Sequence, residues 1–153
     1  MQLKHILSLE RTLLFDCGSK KRLFESTAHL AAEQVPGLEE EVVFEKLIAR
    51  ERLGSTSLGG GVALPHCRVP HCREVVGILS KVSPAIDFDA GDTEPVDLVF
   101  VLLVPLEPTE EHLRTLAMLA DYFSRDEFKA RLRQSADRAA LYDAAVEYHP
   151  ETP

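Results

Sequence analysis

Between Pro95 and Pro105 lies Val96-Asp97-Leu98-Val99-Phe100-Val101-Leu102-Leu103-Val104, nine residues of which only Asp97 is polar. β-Branched residues recur through it, and it does not alternate between apolar and polar positions. A run of this length and composition predicts a central strand buried on both faces. The flanking prolines bound it, because proline lacks an N–H and fixes φ. A sheet hidden on both faces needs helices on both sides. The rest of the chain must supply them.

It does so on each side of that run. Thr12-Leu13-Leu14-Phe15 reads as a short strand that ends in the turn-forming Asp16-Cys17-Gly18. Ser19 offers an N-cap, and Leu23, Phe24, Thr27, Leu30 and Ala31 recur at helical spacing up to Val35-Pro36-Gly37. Glu39, Glu40 and Glu41 suit the start of a second helix, with Val43, Phe44, Leu47 and Ile48 as its apolar face. Gly54 is its expected C-cap, with Arg50 and Arg52 in the last turn. Val75 to Val82 predicts another strand, and Pro84 to Glu94 a loop. Thr109 can cap a third helix whose inner face is Leu113, Leu116, Ala117, Ala120 and Phe123. Ser124-Arg125-Asp126-Glu127 has a capping-box pattern for a short helix, and a last helix runs from about Ala136 to Val146. The expected order is a strand, two helices, several strands and three helices. The fold class is therefore α/β (α+β in some schemes), a mixed sheet flanked by helices on both faces. One domain over residues 1–153 is expected, with its core over about 5–147 and a frayed tail at Glu151-Thr152-Pro153.

Charge narrows the partners. The net charge of −8 works against binding a phosphate backbone, which relies on clustered lysine and arginine, so no nucleic-acid role is expected. No apolar run approaches the ~20 residues that span a bilayer, so no membrane insertion is expected either. The start, Met1-Gln2-Leu3-Lys4-His5-Ile6-Leu7, lacks the apolar core and cleavage site of an export signal, which makes the cytoplasm the expected compartment. Cys17, Cys67 and Cys72 are an odd number of thiols, which argues against a disulfide framework.

Gly59-Gly60-Gly61-Val62-Ala63-Leu64-Pro65-His66 joins backbone freedom, a rigid stop and a titratable group. It is not a phosphate loop, since no Gly-Lys-Ser/Thr follows, nor a dinucleotide fingerprint, since the glycines lead into extended chain rather than a helix. Instead it predicts a strand whose proline stop presents His66 at the rim of a sheet. Two His-Cys pairs, His66-Cys67 and His71-Cys72, raise a zinc site, but neighbours in extended chain point apart and the spacing fits no zinc knuckle. Arg50, His66 and His112 together suit a phosphoryl group: a nucleophilic imidazole, a forked guanidinium and a second imidazole at a helix N-terminus. Each also has a plainer reading: a solvated helix-end cation, a surface histidine after an ordinary turn, and an exposed first-turn residue.

Several ordered motifs go further. They are Ala49-Arg50-Glu51-Arg52-Leu53-Gly54-Ser55-Thr56, Gly61-Val62-Ala63-Leu64-Pro65-His66, Pro84-Ala85-Ile86-Asp87-Phe88, the run from Pro95 to Pro105, and His112-Leu113-Arg114-Thr115-Leu116. With them the chain resembles the IIA proteins of the bacterial phosphoenolpyruvate-dependent phosphotransferase system, in the mannitol/fructose group. Ser19-Lys20-Lys21-Arg22 leans towards the nitrogen-regulatory branch. The resemblance implies a phosphotransferase component that works as a phosphoryl carrier through a phosphohistidine, with no cofactor and no metal. His66 would be the phosphoacceptor, with Arg50 and His112 flanking the phosphate. The phosphate would come from an HPr- or NPr-like carrier, and phosphorylation would control binding to targets such as transporters or sensor kinases. Length without an attached IIB or IIC segment favours this regulatory role. The alternative is a sugar-specific component that passes phosphate to a separate IIB protein. A third possibility is a fold relative that binds a metal or a partner through the His66–Cys72 loop. Cys67 departs from the family, which usually has glycine after the active histidine. If that glycine needs positive φ, Cys67 strains the loop.

Overall fold

The computed structural model describes residues 2–16, 18–88 and 94–150. Short 3-10 turns at Leu3–His5 and Leu9–Arg11 lead into strand β1 (Thr12–Asp16), followed by helices α1 (Lys20–Gln34) and α2 (Glu40–Leu53). Strands β2 (Ser57–Gly59), β3 (Val62–Ala63), β4 (His66–Arg68), β5 (Val76–Ile86) and β6 (Val96–Val104) come next. Helices α3 (Glu110–Phe123), α4 (Asp126–Arg133) and α5 (Arg138–Val146) close the chain.

These strands form one mixed sheet in the order β1-β5-β6-β3-β2, with β4 also beside β6. β6 runs antiparallel to β5 and parallel to β3 and β4. Its side chains alternate, as a pleated strand requires. Val99, Val101 and Leu103 pack with Leu23, Phe24, Val43 and Leu47 of α1 and α2. Leu98, Phe100 and Leu102 pack with Leu119, Phe123, Phe128, Leu132 and Leu141 of α3, α4 and α5. The strand inferred from the run between two prolines is thus the spine of the sheet, covered on both faces. Full burial of a side chain such as Phe100 is worth about 2–3 kcal/mol over exposure.

Local signals hold in the helix caps. Ser19 Oγ accepts the Arg22 N–H at 3.2 Å, Thr109 Oγ1 accepts that of His112, and Gly54 ends α2. Four expectations need correction. The Ser124–Glu127 capping box does not form: Ser124 ends α3 and its hydroxyl donates to the Asp121 carbonyl, while Glu127 accepts from the Tyr148 hydroxyl. The last helix starts at Arg138, because Asp137 captures the Ala140 N–H and sets the boundary there. The inner face of α3 keeps Phe123, with Leu116 and Ala120 partly buried against the same core, but Thr115 and Leu119 are its other buried residues, while Leu113 is 60% exposed and Ala117 is also exposed. Two apolar stripes overlap on that helix, and packing into the core shared with Leu98, Phe100 and Leu102 of β6 favours the one carrying Leu119 and Phe123. Finally, Pro84 to Ile86 extend β5 rather than opening a loop. Cys17, residues 89–93 and the tail at 151–153 lie outside the described residues.

Candidate functional site

The site begins at the glycine turn. Gly59, Gly60 and Gly61 all have positive φ, which reverses the chain between β2 and β3. A side chain at Gly61 would meet Arg133 Nη2 at 2.5 Å and Asp97 Oδ1 at 2.8 Å. Those two groups form a forked ion pair, and Arg133 Nη2 also donates to the Gly60 carbonyl at 2.6 Å. The turn is thereby pinned to β6 and to the end of α4.

β3 then lasts only two residues. Leu64 donates its N–H to the Thr56 carbonyl at 3.0 Å, and Pro65 has no N–H to give. Pairing resumes because the Pro65 carbonyl accepts the Leu102 N–H at 2.9 Å, and His66 opens β4. His66 was expected at the rim of the sheet, just past a strand that stops at Pro65. It sits instead at the head of a second short strand, since proline interrupts the donors of the ladder but leaves its acceptor.

Strand alternation now sorts the side chains. His66 and Arg68 face one way with Leu102 and Val104, their register partners on β6. Cys67 packs against the α1–α2 side of the core. Among the described residues only His71 combines a side chain with positive φ, so Cys67 is unstrained in its ladder. Burial, with the nearby Cys72 thiol adding to it, pushes the Cys67 thiol from 9.0 to about 12. Burial likewise raises Cys72 to about 11, partly offset by hydrogen bonding with the Glu74 backbone; as a thiol its S–H points to the Glu74 carbonyl. Among the described residues no three histidine, cysteine or acidic side chains group to hold a metal ion.

An open cleft of about 570 Å³ joins the three polar candidates. His66, Arg50 and His112 all line it, with exposed Leu53 and Leu113 at its rim. His66 Nδ1 lies 2.8 Å from the Leu64 carbonyl. A carbonyl only accepts, so Nδ1 carries the proton and a neutral ring leaves Nε2 bare. His112 is fixed the opposite way: its Nδ1 accepts the Thr109 N–H at 3.0 Å, which puts the proton on Nε2. Among the described residues the cleft therefore holds one imidazole with a free lone pair and another with a free donor. Arg50 Nη1 donates to the Gly54 carbonyl at 3.1 Å, which folds the guanidinium over the end of its own helix. Lys46 and Arg68 also line the cleft, and among the described residues no carboxylate does. In a chain of net charge −8 this is a cationic hollow.

Sequence reasoning missed Glu51, the residue that ties α2 to this strand. Its carboxylate, 5% exposed, accepts the Thr56 N–H at 3.1 Å and the Thr56 hydroxyl at 2.9 Å, and pairs with Lys20. Thr56 in turn receives Leu64. Arg50 and His66 are thus joined through Glu51, Thr56 and Leu64. The only signal was the adjacency of Glu51 to Arg50 and its reach to a hydroxyl five residues on. Arg68 was missed because the strand was expected to stop at Pro65. Two-residue spacing from His66 finds it once β4 is known.

The family described as phosphoenolpyruvate-dependent sugar phosphotransferase system, EIIA 2, matches residues 6–146, and the chain belongs to it. It is a IIA-type component of that system. The nitrogen regulatory protein of Pseudomonas aeruginosa is 43% identical over 148 residues, which cover 96% of each chain. The crystal structure of the nitrogen regulatory protein IIA-Ntr from Neisseria meningitidis superposes with a TM-score of 0.82 at 42% identity, over 90% of this chain and 97% of that one. IIA mannitol from Escherichia coli shares the fold, with a TM-score of 0.72 at 16% identity over 91% and 98% of the two chains.

Proposed function

We propose that this chain is a cytoplasmic phosphoryl carrier of the nitrogen-regulatory kind, phosphorylated on His66 Nε2 by an HPr- or NPr-like protein. The observation that carries this reading is the Leu64 carbonyl on His66 Nδ1, which leaves the other nitrogen bare in a cationic cleft. In-line transfer between two imidazoles asks little covalent chemistry of the protein, so positioning and charge neutralisation dominate. Arg50 would neutralise the incoming phosphoryl oxygens, and His112 Nε2–H would donate to one of them. Phosphate on His66 would add negative charge between exposed Leu53 and Leu113, and so switch which targets, such as transporters or sensor kinases, dock there.

The likeness to nitrogen regulatory proteins at about 40% identity supports regulation over sugar transport. The test is labelling with phosphoenolpyruvate and the upstream carriers. Native protein should take one acid-labile phosphate and His66→Ala none. Equal labelling of His66→Ala would overturn the assignment, and rapid loss of label to a IIB protein would replace regulation with sugar transport.

A further inference from the structure

We propose that Arg68 is a second guanidinium on the transferred phosphoryl group. This rests on His66 as the phosphoacceptor. Arg68 follows His66 by two residues on β4, so the two side chains leave the same face about 6.6 Å apart. Both line the cleft, and Arg68 is exposed. Among the described residues no hydrogen bond or ion pair holds its guanidinium, whereas that of Arg50 is already engaged with the Gly54 carbonyl. A planar fork with free donors beside a nucleophilic nitrogen matches the equatorial oxygens of a phosphoryl group. Lys46 also lines the cleft, but from α2, one turn before Arg50.

Arg68 takes no part in the bond changes. The His66 Nε2 lone pair forms the new N–P bond as the N–P bond of the donor breaks, and that electron pair returns to the donor nitrogen. As the phosphoryl group crosses, Arg68 and Arg50 share its charge from two sides. The other titratable groups around it are Lys46, Cys67 and His112.

Two measurements on the full chain separate this contact from docking. The first uses phosphoramidate, a small donor with no docking surface, and follows phosphate on His66 by site-resolved NMR. The leaving nitrogen departs as ammonia after gaining a proton from water. Arg68→Gln should slow labelling of His66 about five- to tenfold, and Arg68→Lys should recover part of that loss. The second is the ³¹P titration of the isolated phosphoprotein, where Arg68→Gln should raise the second phosphate ionisation by about half a pH unit. Lys46→Gln should shift it less. Labelling and titration unchanged in Arg68→Gln, with native His66 phosphorylated, would overturn the contact alone. An equal shift in Lys46→Gln would replace the contact by a general field. Absence of phosphate on native His66 would overturn the function it rests on as well.

Discussion

His112 does two jobs that a substitution can separate. Its Nδ1 receives the Thr109 N–H and completes the cap of α3, and its Nε2–H is left to donate into the cleft. Glutamate at the third helical position is the ordinary capping-box partner, so His112→Glu keeps an acceptor for Thr109 and places a negative charge where the helix dipole favours it. Stability should be unchanged or up by about 0.5 kcal/mol. Phosphoryl transfer should move the other way. Losing a donor to a charged oxygen removes about 1.5 kcal/mol, at the lower end of the range because the cleft is open. A carboxylate about 5 Å from the phosphoryl group, at an effective dielectric of about 50, adds roughly 1.3 kcal/mol of repulsion. Together these give about a hundredfold slower transfer. His112→Gln retains both an acceptor and a donor and should lose less than about fivefold. Urea unfolding with an unchanged slope reports the first quantity, and quenched-flow transfer from the phosphorylated carrier reports the second. Native-like transfer in His112→Glu would refute the donor role, and a large drop in its stability would refute the cap.

Other substitutions probe the scaffold and the thiols. Gly61→Ala forces a side chain to a φ of 81° and into the Arg133–Asp97 pair, and should lower the unfolding free energy by about 2–3 kcal/mol, read by urea titration. Glu51→Gln should weaken the link from α2 to Leu64 and slow phosphorylation of His66 about tenfold while the fold persists, seen as retained helical circular dichroism. Cys67, held near 12 by burial, should alkylate about a thousand times more slowly at pH 8 than a thiol at 9.0, with a rate still rising at pH 10. The folded chain keeps that proton longer than the unfolded one, so stability is intact below about pH 9 and falls as pH climbs towards 12. The hydrogen bond and charge of Glu40 raise His29, so its NMR titration should move down in Glu40→Gln.

The sheet and its cover were legible because single elements carried their own evidence. The run bounded by Pro95 and Pro105 has the length, β-branching and flanking prolines of a strand hidden on both sides, and the caps at Ser19, Thr109 and Gly54 follow from local hydrogen-bond chemistry. The α3 face was legible in part: Leu116, Ala120 and Phe123 do turn to the core, but two apolar stripes share that helix, and only packing brings in Leu119 and leaves Leu113 outside. In the site, Arg50, His66 and His112 were named from residue type and family likeness. Their meeting in one cleft depends on α2, β4 and α3 converging, which spacing does not encode. Pro65 hid the rest: read as an end to the strand, it concealed β4 and with it the placement of Arg68 and the unstrained backbone of Cys67.

The most direct test of the account is which nitrogen carries the phosphate. After labelling with phosphoenolpyruvate and the upstream carriers, long-range ¹H–¹⁵N correlation resolves the two nitrogens of each imidazole. The Leu64 carbonyl on Nδ1 predicts a single phosphohistidine, His66, with phosphate on Nε2 and a proton retained on Nδ1. Phosphate on Nδ1 of His66, or on another histidine, would contradict it.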